Sequence, residues 1–416
     1  MRKIKSVVFL VVFMVSIGAW GQTITSLYSS HGIGEVSEVG LQQNFSMGNL
    51  GYGTPSLFGI NLQNPSMLYY NPLSSFSVGL MGDFRTYEGD DVSDNSNALS
   101  LRYLAMAFPV IESRWATAFS LLPYSSVNYN SYSIDSLDND VAAVNQYQGN
   151  GGLSSLSWSN SIRLYKSLAI GIKSSFVFGT IEKDSRVQLV GEEVSNAYVI
   201  SYTENTAYKD IIFSLSISNK FKISNKSFIN VGAVFNLSGE LSGNMDKGYE
   251  RYSGSNLLQQ VDLTSEEVAF KLPRSFGAGL SYQVINKLLI GADLDIKQWA
   301  DMGESGETSY NDALSMSLGG EFIPDIQSVS NYFKRARYRA GINFKELPYL
   351  VENTQINDFG INFGVALPVS GYSSIETAFK YGWRGTTENG LTRESYFQVV
   401  LGATINDRWF IKRKYD

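Results

Sequence analysis

Residues 287–298 read KLLIGADLDIKQ, and within them the side chains change character at every second position. Leu288, Ile290, Ala292, Leu294 and Ile296 share one face of an extended chain, and Gly291, Asp293, Asp295 and Lys297 share the other, because successive strand side chains point to opposite sides of a sheet. One such strand suits a soluble sandwich, apolar face inward, as well as a membrane barrel, apolar face toward lipid. Recurrence separates the two. Phe213, Leu215, Ile217, Phe221 and Ile223 oppose Ser214, Ser216, Ser218 and Lys220, while Phe359, Ile361, Phe363, Val365 and Leu367 oppose Gly360, Asn362 and Gly364. Near the end Phe397, Val399, Leu401, Ala403 and Ile405 oppose Gln398, Gly402 and Thr404. Bulky apolar residues on one face and small or polar ones on the other suit a curved wall around a filled interior.

Between Ser74 and Phe410 about fourteen such segments follow one another, an even number at the density of an outer-membrane barrel. The expected fold is an all-β transmembrane antiparallel barrel over residues 74–416, preceded by a non-alternating segment, 22–73, that plugs the lumen as a hatch. Short connections at Val110 to Ser113, Lys166 and Val284 to Lys287 read as periplasmic turns. Polar stretches at Glu88 to Ser96, Asn130 to Gly151, Asp184 to Ala207, Asn244 to Glu267 and Gly303 to Tyr310 read as long external loops. Trp115, Trp158, Trp299, Trp383 and Trp409 stand near strand ends and are expected in interfacial girdles.

The start of the chain agrees with export. Arg2, Lys3 and Lys5 precede an apolar run from Val7 to Ala19, with Ala19 and Gly21 at the positions a signal peptidase reads. The run falls short of the ~20 residues a membrane helix needs, so residues 1–21 read as a cleaved signal peptide and the mature chain as beginning at Gln22. The chain has no cysteine, 44% hydrophobic residues, 13% aromatics, 38 glycines and 17% charged residues. Disulfides, lipidated cysteine and thiolate chemistry are thereby closed, and a net charge of -6 argues against a nucleic-acid partner.

Enzyme chemistry finds little support. The single histidine, His31, has no Gly-x-Ser-x-Gly elbow beside it, and one histidine without cysteine makes a poor zinc or iron site. Glu88, Asp90, Asp91, Asp94 and Asn95 lack EF-hand spacing and read as a solvated loop. No metal, cofactor or catalytic residue is expected.

At several motifs the chain resembles the FadL family of outer-membrane transport proteins for long-chain fatty acids and other hydrophobic compounds. Asn71-Pro72-Leu73 stands where that family ends its hatch with Asn-Pro-Ala, and Asn64-Pro65-Ser66 is a second copy. The stretch LPRSFGAGLSYQVINKLLIGADLDIKQW, 272–299, looks like the family's most recognisable strand pair. Pro123 in SLLPYSSVNY sits where the family has a proline in its third strand, whose kink opens a side route from lumen to bilayer. The stretches LYSSHGIGEV, ELPYLVENTQINDFGINFGVALP and FKYGWRGT look like the version found in bacteria with type 9 secretion. Leu73 in place of alanine departs from the pattern.

With the apolar faces outward, Asp293, Asp295, Lys297, Glu321, Arg339, Glu376, Lys380 and Arg384 fall inside, where mixed charges pair with one another and with the hatch. In the early strands Met81, Leu104, Met106, Phe108 and Leu122 are assigned inward, opposite Phe45, Met47, Leu50 and Leu57 of the hatch, as an apolar pocket or as hatch-to-wall packing. The resemblance implies passive uptake of a hydrophobic small molecule, with exit to outer-membrane lipid near Pro123. The alternative is an accessory subunit of an outer-membrane protein complex, either the barrel-assembly machinery or the type 9 translocon.

Overall fold

The computed structural model describes residues 26–409, apart from 90–92, 138–140, 192–197, 255, 303 and 306–307. The expected signal peptide, Gln22, Asp90 and Asp91 lie outside the described residues.

After a two-residue strand β1 (Glu35–Val36), the wall begins with β2 (Ser74–Glu88), β3 (Ser93–Ile111) and β4 (Trp115–Ser126), which β5 (Tyr129–Ser136) continues. It proceeds through β6 (Ala142–Tyr165), β7 (Leu168–Val190), β8 (Tyr198–Lys222), β9 (Ser227–Asn236) with its continuation β10 (Gly239–Ser253), and β11 (Asn256–Leu272) continued by β12 (Ser275–Val284). β13 (Leu288–Lys297) is followed by a small hairpin, β14 (Glu304–Ser305) and β15 (Thr308–Ser309), and then by β16 (Ala313–Phe322), β17 (Arg337–Val351), β18 (Thr354–Pro368), β19 (Ser374–Arg384) and β20 (Arg393–Asp407). Taking the three interrupted strands as single, fourteen antiparallel strands form the wall. It closes where β2 meets β20, from Ser74 opposite Asp407 to Glu88 opposite Arg393.

Side-chain exposure gives the sense of the alternation. Ile290, Leu294 and Ile296 on β13 are exposed at 40 to 50%, whereas Asp293 and Asp295 between them are buried. The same holds for Phe213, Leu215 and Ile217 against Ser214, Ser216 and Ser218. An apolar outside around a polar inside is the arrangement of a lipid-facing barrel and the inverse of a soluble sandwich.

At one end the connections are tight. Ser113, Lys166 and Asn286 take positive φ (55, 48 and 57°) in the β3–β4, β6–β7 and β12–β13 turns, the left-handed conformation that two- and three-residue hairpins demand. At the other end, three of the expected long loops are corrected. Much of Asn130 to Gly151, Asp184 to Ala207 and Asn244 to Glu267 is strand, with β6 paired to β7 as far as Ala142 opposite Val190 and β10 to β11 as far as Ser253 opposite Asn256. Beyond an apolar band both faces of a strand meet water, so the alternation fades while the backbone ladder continues. Sequence polarity therefore reads as loop where hydrogen bonding makes sheet.

Residues 26–73 lie within the wall. Most of their side chains are buried, Phe45, Leu50, Ile60, Leu62 and Met67 at 0 to 1% exposure, and their only helical pieces are single turns at Leu27–Ser30 and Gln42–Phe45 and a two-turn 3-10 helix at Pro65–Tyr70. Glycines on the wall mark where this segment presses closest: a Cβ on Gly341 would collide with the backbone of Met47 and Gly48, and one on Gly232 with the carbonyl of Tyr52.

Candidate functional site: a lateral seam and the cavities behind it

The ladder between β3 and β4 is incomplete. It runs from Ile111 opposite Trp115 to Leu104 opposite Leu121 and stops. Toward the long-strand end β3 continues on β2 alone, while β4 and β5 continue on β6. Pro123 stands just past the departure point. It has no N–H to give to a ladder, and the register against β6 slips between Pro123 and Ser125, leaving Tyr124 bulged. The N-terminal segment takes up the freed edge: Glu35 and Val36 of β1 pair with Ser126 and Ser125, and the Ser37 amide donates to the Tyr124 carbonyl at 2.9 Å.

Behind the seam lies a cavity of about 340 Å³ that reaches from Phe45, Met81 and Arg102 to Pro123 and to Leu101, which is 41% exposed on the outer wall. A second cavity, of about 210 Å³, extends deeper between β4, β7, β8 and β13. The two share Val36, Ser37, Glu38, Pro123 and Lys345, so the N-terminal segment divides one space rather than separating two.

Charges hold that segment to the wall. Arg384 contacts Glu35 and Asp358, both at 2.7 Å, and Arg85 contacts Asp83 at 2.9 Å and Glu394 at 2.8 Å. Burial works against the charge on Glu35, but the guanidiniums of Arg384 and Arg85 outweigh it and hold the carboxyl far below the usual range. Burial likewise opposes charge on Glu38, and Lys380, 3.9 Å away, with Lys345 and Arg102 keeps its pKa low. A second group joins Arg339 to Glu321 and Glu376, each at 2.7 Å. In the third, the Asp293 carboxylate accepts backbone N–H bonds from Gly51 (2.6 Å), Tyr52 (2.8 Å) and Gly53 (3.4 Å). Asp295 accepts from the Tyr52 hydroxyl at 3.0 Å and lies 4.0 Å from Lys297. The eight expected luminal charges thus fall into three groups, and sequence reasoning missed Asp83, Arg85, Asp358 and Glu394. The alternation of Asp83-Phe84-Arg85 on β2 carried the signal for two of them.

The two Asn-Pro elements bracket the lower part of the segment. Asn64 caps the Pro65–Tyr70 turn, accepting from the Ser66 amide at 3.1 Å and donating to the Tyr52 carbonyl at 2.7 Å. Asn71 donates to the Gly59 carbonyl and the Ser75 hydroxyl and accepts from the Leu73 amide, so that Pro72 leads directly into β2.

The apolar set does not form one pocket. Phe45 and Met81 pack with Ala378 and Val400 beside the seam cavity, while Met47 and Leu50 pack on Leu289. Leu57 lines a small space of about 50 Å³ at the short-turn end, and Leu122 faces the deeper cavity. Leu104, Met106 and Phe108 are corrected: the inward residues are Tyr103, Ala105 and Ala107, and Met106 is 42% exposed on the outer wall. Gly79 pairs with Tyr103 but Leu80 with Leu101, so Arg102 is an extra residue that flips the alternation. Trp299 is corrected too. It is 5% exposed and stacks on Tyr310 at 5.6 Å inside the mouth, because the chain turns inward once β13 has ended.

The sequence matches the BamG family model over residues 3–416. The chain belongs to the BamG family. No curated protein matches it in sequence. Solved structures similar to this BamG family member include the Pseudomonas putida toluene transporter TodX, at 13% identity and TM-score 0.59, with 90% of this chain and all of that one covered. The CymD monoaromatic hydrocarbon channel is 15% identical at TM-score 0.55, covering 90% and 98% of the two chains. A Pseudomonas aeruginosa FadL homologue is 12% identical at TM-score 0.54, covering 87% and 100%. At these identities the likeness is one of fold: a closed, fourteen-stranded barrel of the FadL type.

Proposed function

We propose that the barrel lies in the outer membrane of a Gram-negative cell, that residues 26–73 are its hatch, and that hydrophobic compounds pass between the lumen and the bilayer through the seam at Pro123. It carries out no catalysis on this reading. The observation that carries it is the unpaired stretch between β3 and β4, with a cavity running from exposed Leu101 inward past Pro123. The tight turns then face the periplasm and the long strands rise outside, the orientation usual for such barrels. That a toluene transporter and a monoaromatic hydrocarbon channel share this fold supports the substrate class. The lining is mixed, with Arg102, Glu38 and Lys345 beside Phe45 and Met81, so cargo with a polar end has partners there as well.

Pro123→Ala returns an N–H to β4 and removes the kink, and uptake of a hydrophobic fluorescent probe into cells should fall while the barrel stays folded. Unchanged uptake would remove the seam as the route. Mild-detergent purification with mass spectrometry tests the reading from the other side. Recovery of the barrel with a bound hydrophobic molecule supports transport, whereas stoichiometric barrel-assembly or type 9 secretion components would replace it with the accessory-subunit reading.

A further inference from the structure

Lys173 is a luminal charge that neither the N-terminal segment nor the wall pairs. It lies on the inward register of β7, between Ser159 of β6 and Ser214 of β8, and its side chain lines the deeper cavity. Among the described residues it has neither an ion pair nor a hydrogen bond. The cavity's carboxylates are engaged elsewhere: Asp293 by the amides of Gly51 to Gly53, Asp295 by Tyr52 and Lys297, Glu38 by Lys380. An ammonium removed from bulk water without a counter-charge is costly, and a wall that keeps one is arranged for an anion that arrives from outside.

The hydroxyls beside it define what kind of anion. Ser120 and Ser214 line the same cavity and donate to no group of the described chain. Ser157 and Ser175 line it too and share a single bond of 2.7 Å, which leaves one of their two protons available. With the three N–H of Lys173 this makes more donors than the two oxygens of a carboxylate can accept, and it suits the three terminal oxygens of a phosphate monoester. On the far side the cavity opens at Pro123 toward the seam, where an alkyl chain reaches Leu101 and the bilayer side of the wall.

We propose that the cavity at Lys173, Ser120 and Ser214 binds the phosphate headgroup of a single-chain amphiphile whose tail leaves past Pro123. The path of the tail rests on the seam being open, whereas the headgroup site does not. The test uses the purified full chain in detergent with octyl phosphate, octanoate, octanol and inorganic phosphate as probes, read by calorimetry. Octyl phosphate should bind at least about tenfold tighter than octanoate or octanol, and K173Q should weaken it by about tenfold to a hundredfold. K173R should retain most of the binding, and S214A should reduce it while leaving the heat-modifiable migration of the folded barrel unchanged. Equal binding of octanoate overturns the phosphate assignment, and equal binding of inorganic phosphate overturns the amphiphile. Indifference to K173Q in a folded barrel overturns the site. Unchanged probe uptake in P123A with octyl phosphate binding intact would place the failure in the route and leave the headgroup site standing.

Discussion

Asp293→Ala should free the middle of the N-terminal segment without opening the wall. The Asp293 carboxylate is buried and takes two short backbone N–H bonds, from Gly51 at 2.6 Å and Tyr52 at 2.8 Å, with a longer third from Gly53. Hydrogen bonds to a charged group contribute about 1.5–3 kcal/mol each, and alanine leaves the amides buried without an acceptor, so the two short bonds together amount to about 3–6 kcal/mol. At 1.4 kcal/mol per decade, the open population of residues 51–53 should rise by roughly two to four powers of ten. Hydrogen exchange by mass spectrometry on the detergent-solubilised barrel reads this directly, with the β2–β20 ladder as the internal reference. Asp293→Asn keeps an acceptor oxygen and should fall between wild type and alanine. Unaltered protection of Gly51 to Gly53 in a folded Asp293→Ala barrel would refute the reasoning, because the segment would then be held by its packing alone.

Gly341→Val places a side chain where Met47 and Gly48 cross the wall; overpacking of this kind costs about 1–3 kcal/mol, and limited proteolysis should cut the segment faster than in wild type. Arg384→Met strands Glu35 and Asp358 in the lumen. It should destabilise by about 3–5 kcal/mol in chemical unfolding, with the double variant Glu35→Leu/Arg384→Met less damaged than that single change. His31 stacks on Tyr349 at 4.7 Å, and burial, aided by the charge of Lys183, pushes its pKa below its ordinary 6.5. Its neutral form is the one the fold favours, so its contribution is complete above pH 6.5 and is lost as the pH falls below that value toward the folded pKa. Protease protection of residues 26–36 should weaken on acidification through this window, and His31→Phe should flatten the dependence.

The wall was legible because its physics is local. A strand such as β13, with Ile290, Leu294 and Ile296 out and Asp293 and Asp295 in, carries its orientation in its own residues, and fourteen such segments leave few architectures open. What escaped was whatever depended on a neighbour. Arg102 as an inserted residue is visible only in the pairing of β2 with β3, and that one slip put Leu104, Met106 and Phe108 on the wrong face. The polar ladders of β6, β7, β10 and β11 beyond the apolar band have no alternation to read, since their order comes from hydrogen bonds between backbones. The charges Asp293 and Arg384 were found by their inward register, but their partners in residues 26–73 were not, because that segment folds against a surface that its own sequence does not contain. Lys173 gave no signal beyond a lysine amid serines.

Ser26 and the last strand of the wall hold each other. The Ser26 hydroxyl donates to Glu394 of β20 at 2.8 Å, Tyr28 donates to the Thr392 carbonyl, and Glu394 in turn binds Arg85 of β2. The two strands whose meeting shuts the cylinder therefore carry the groups that grip residues 26–35. The hold on Ser26 and Glu35 and the closure of β2 on β20 are thus coupled, because Arg85 and Glu394 serve both. Without the segment Arg85 would keep Asp83 and Glu394, and Arg384 would keep Asp358, but the two guanidiniums would lose Glu35, the carboxylate that they share.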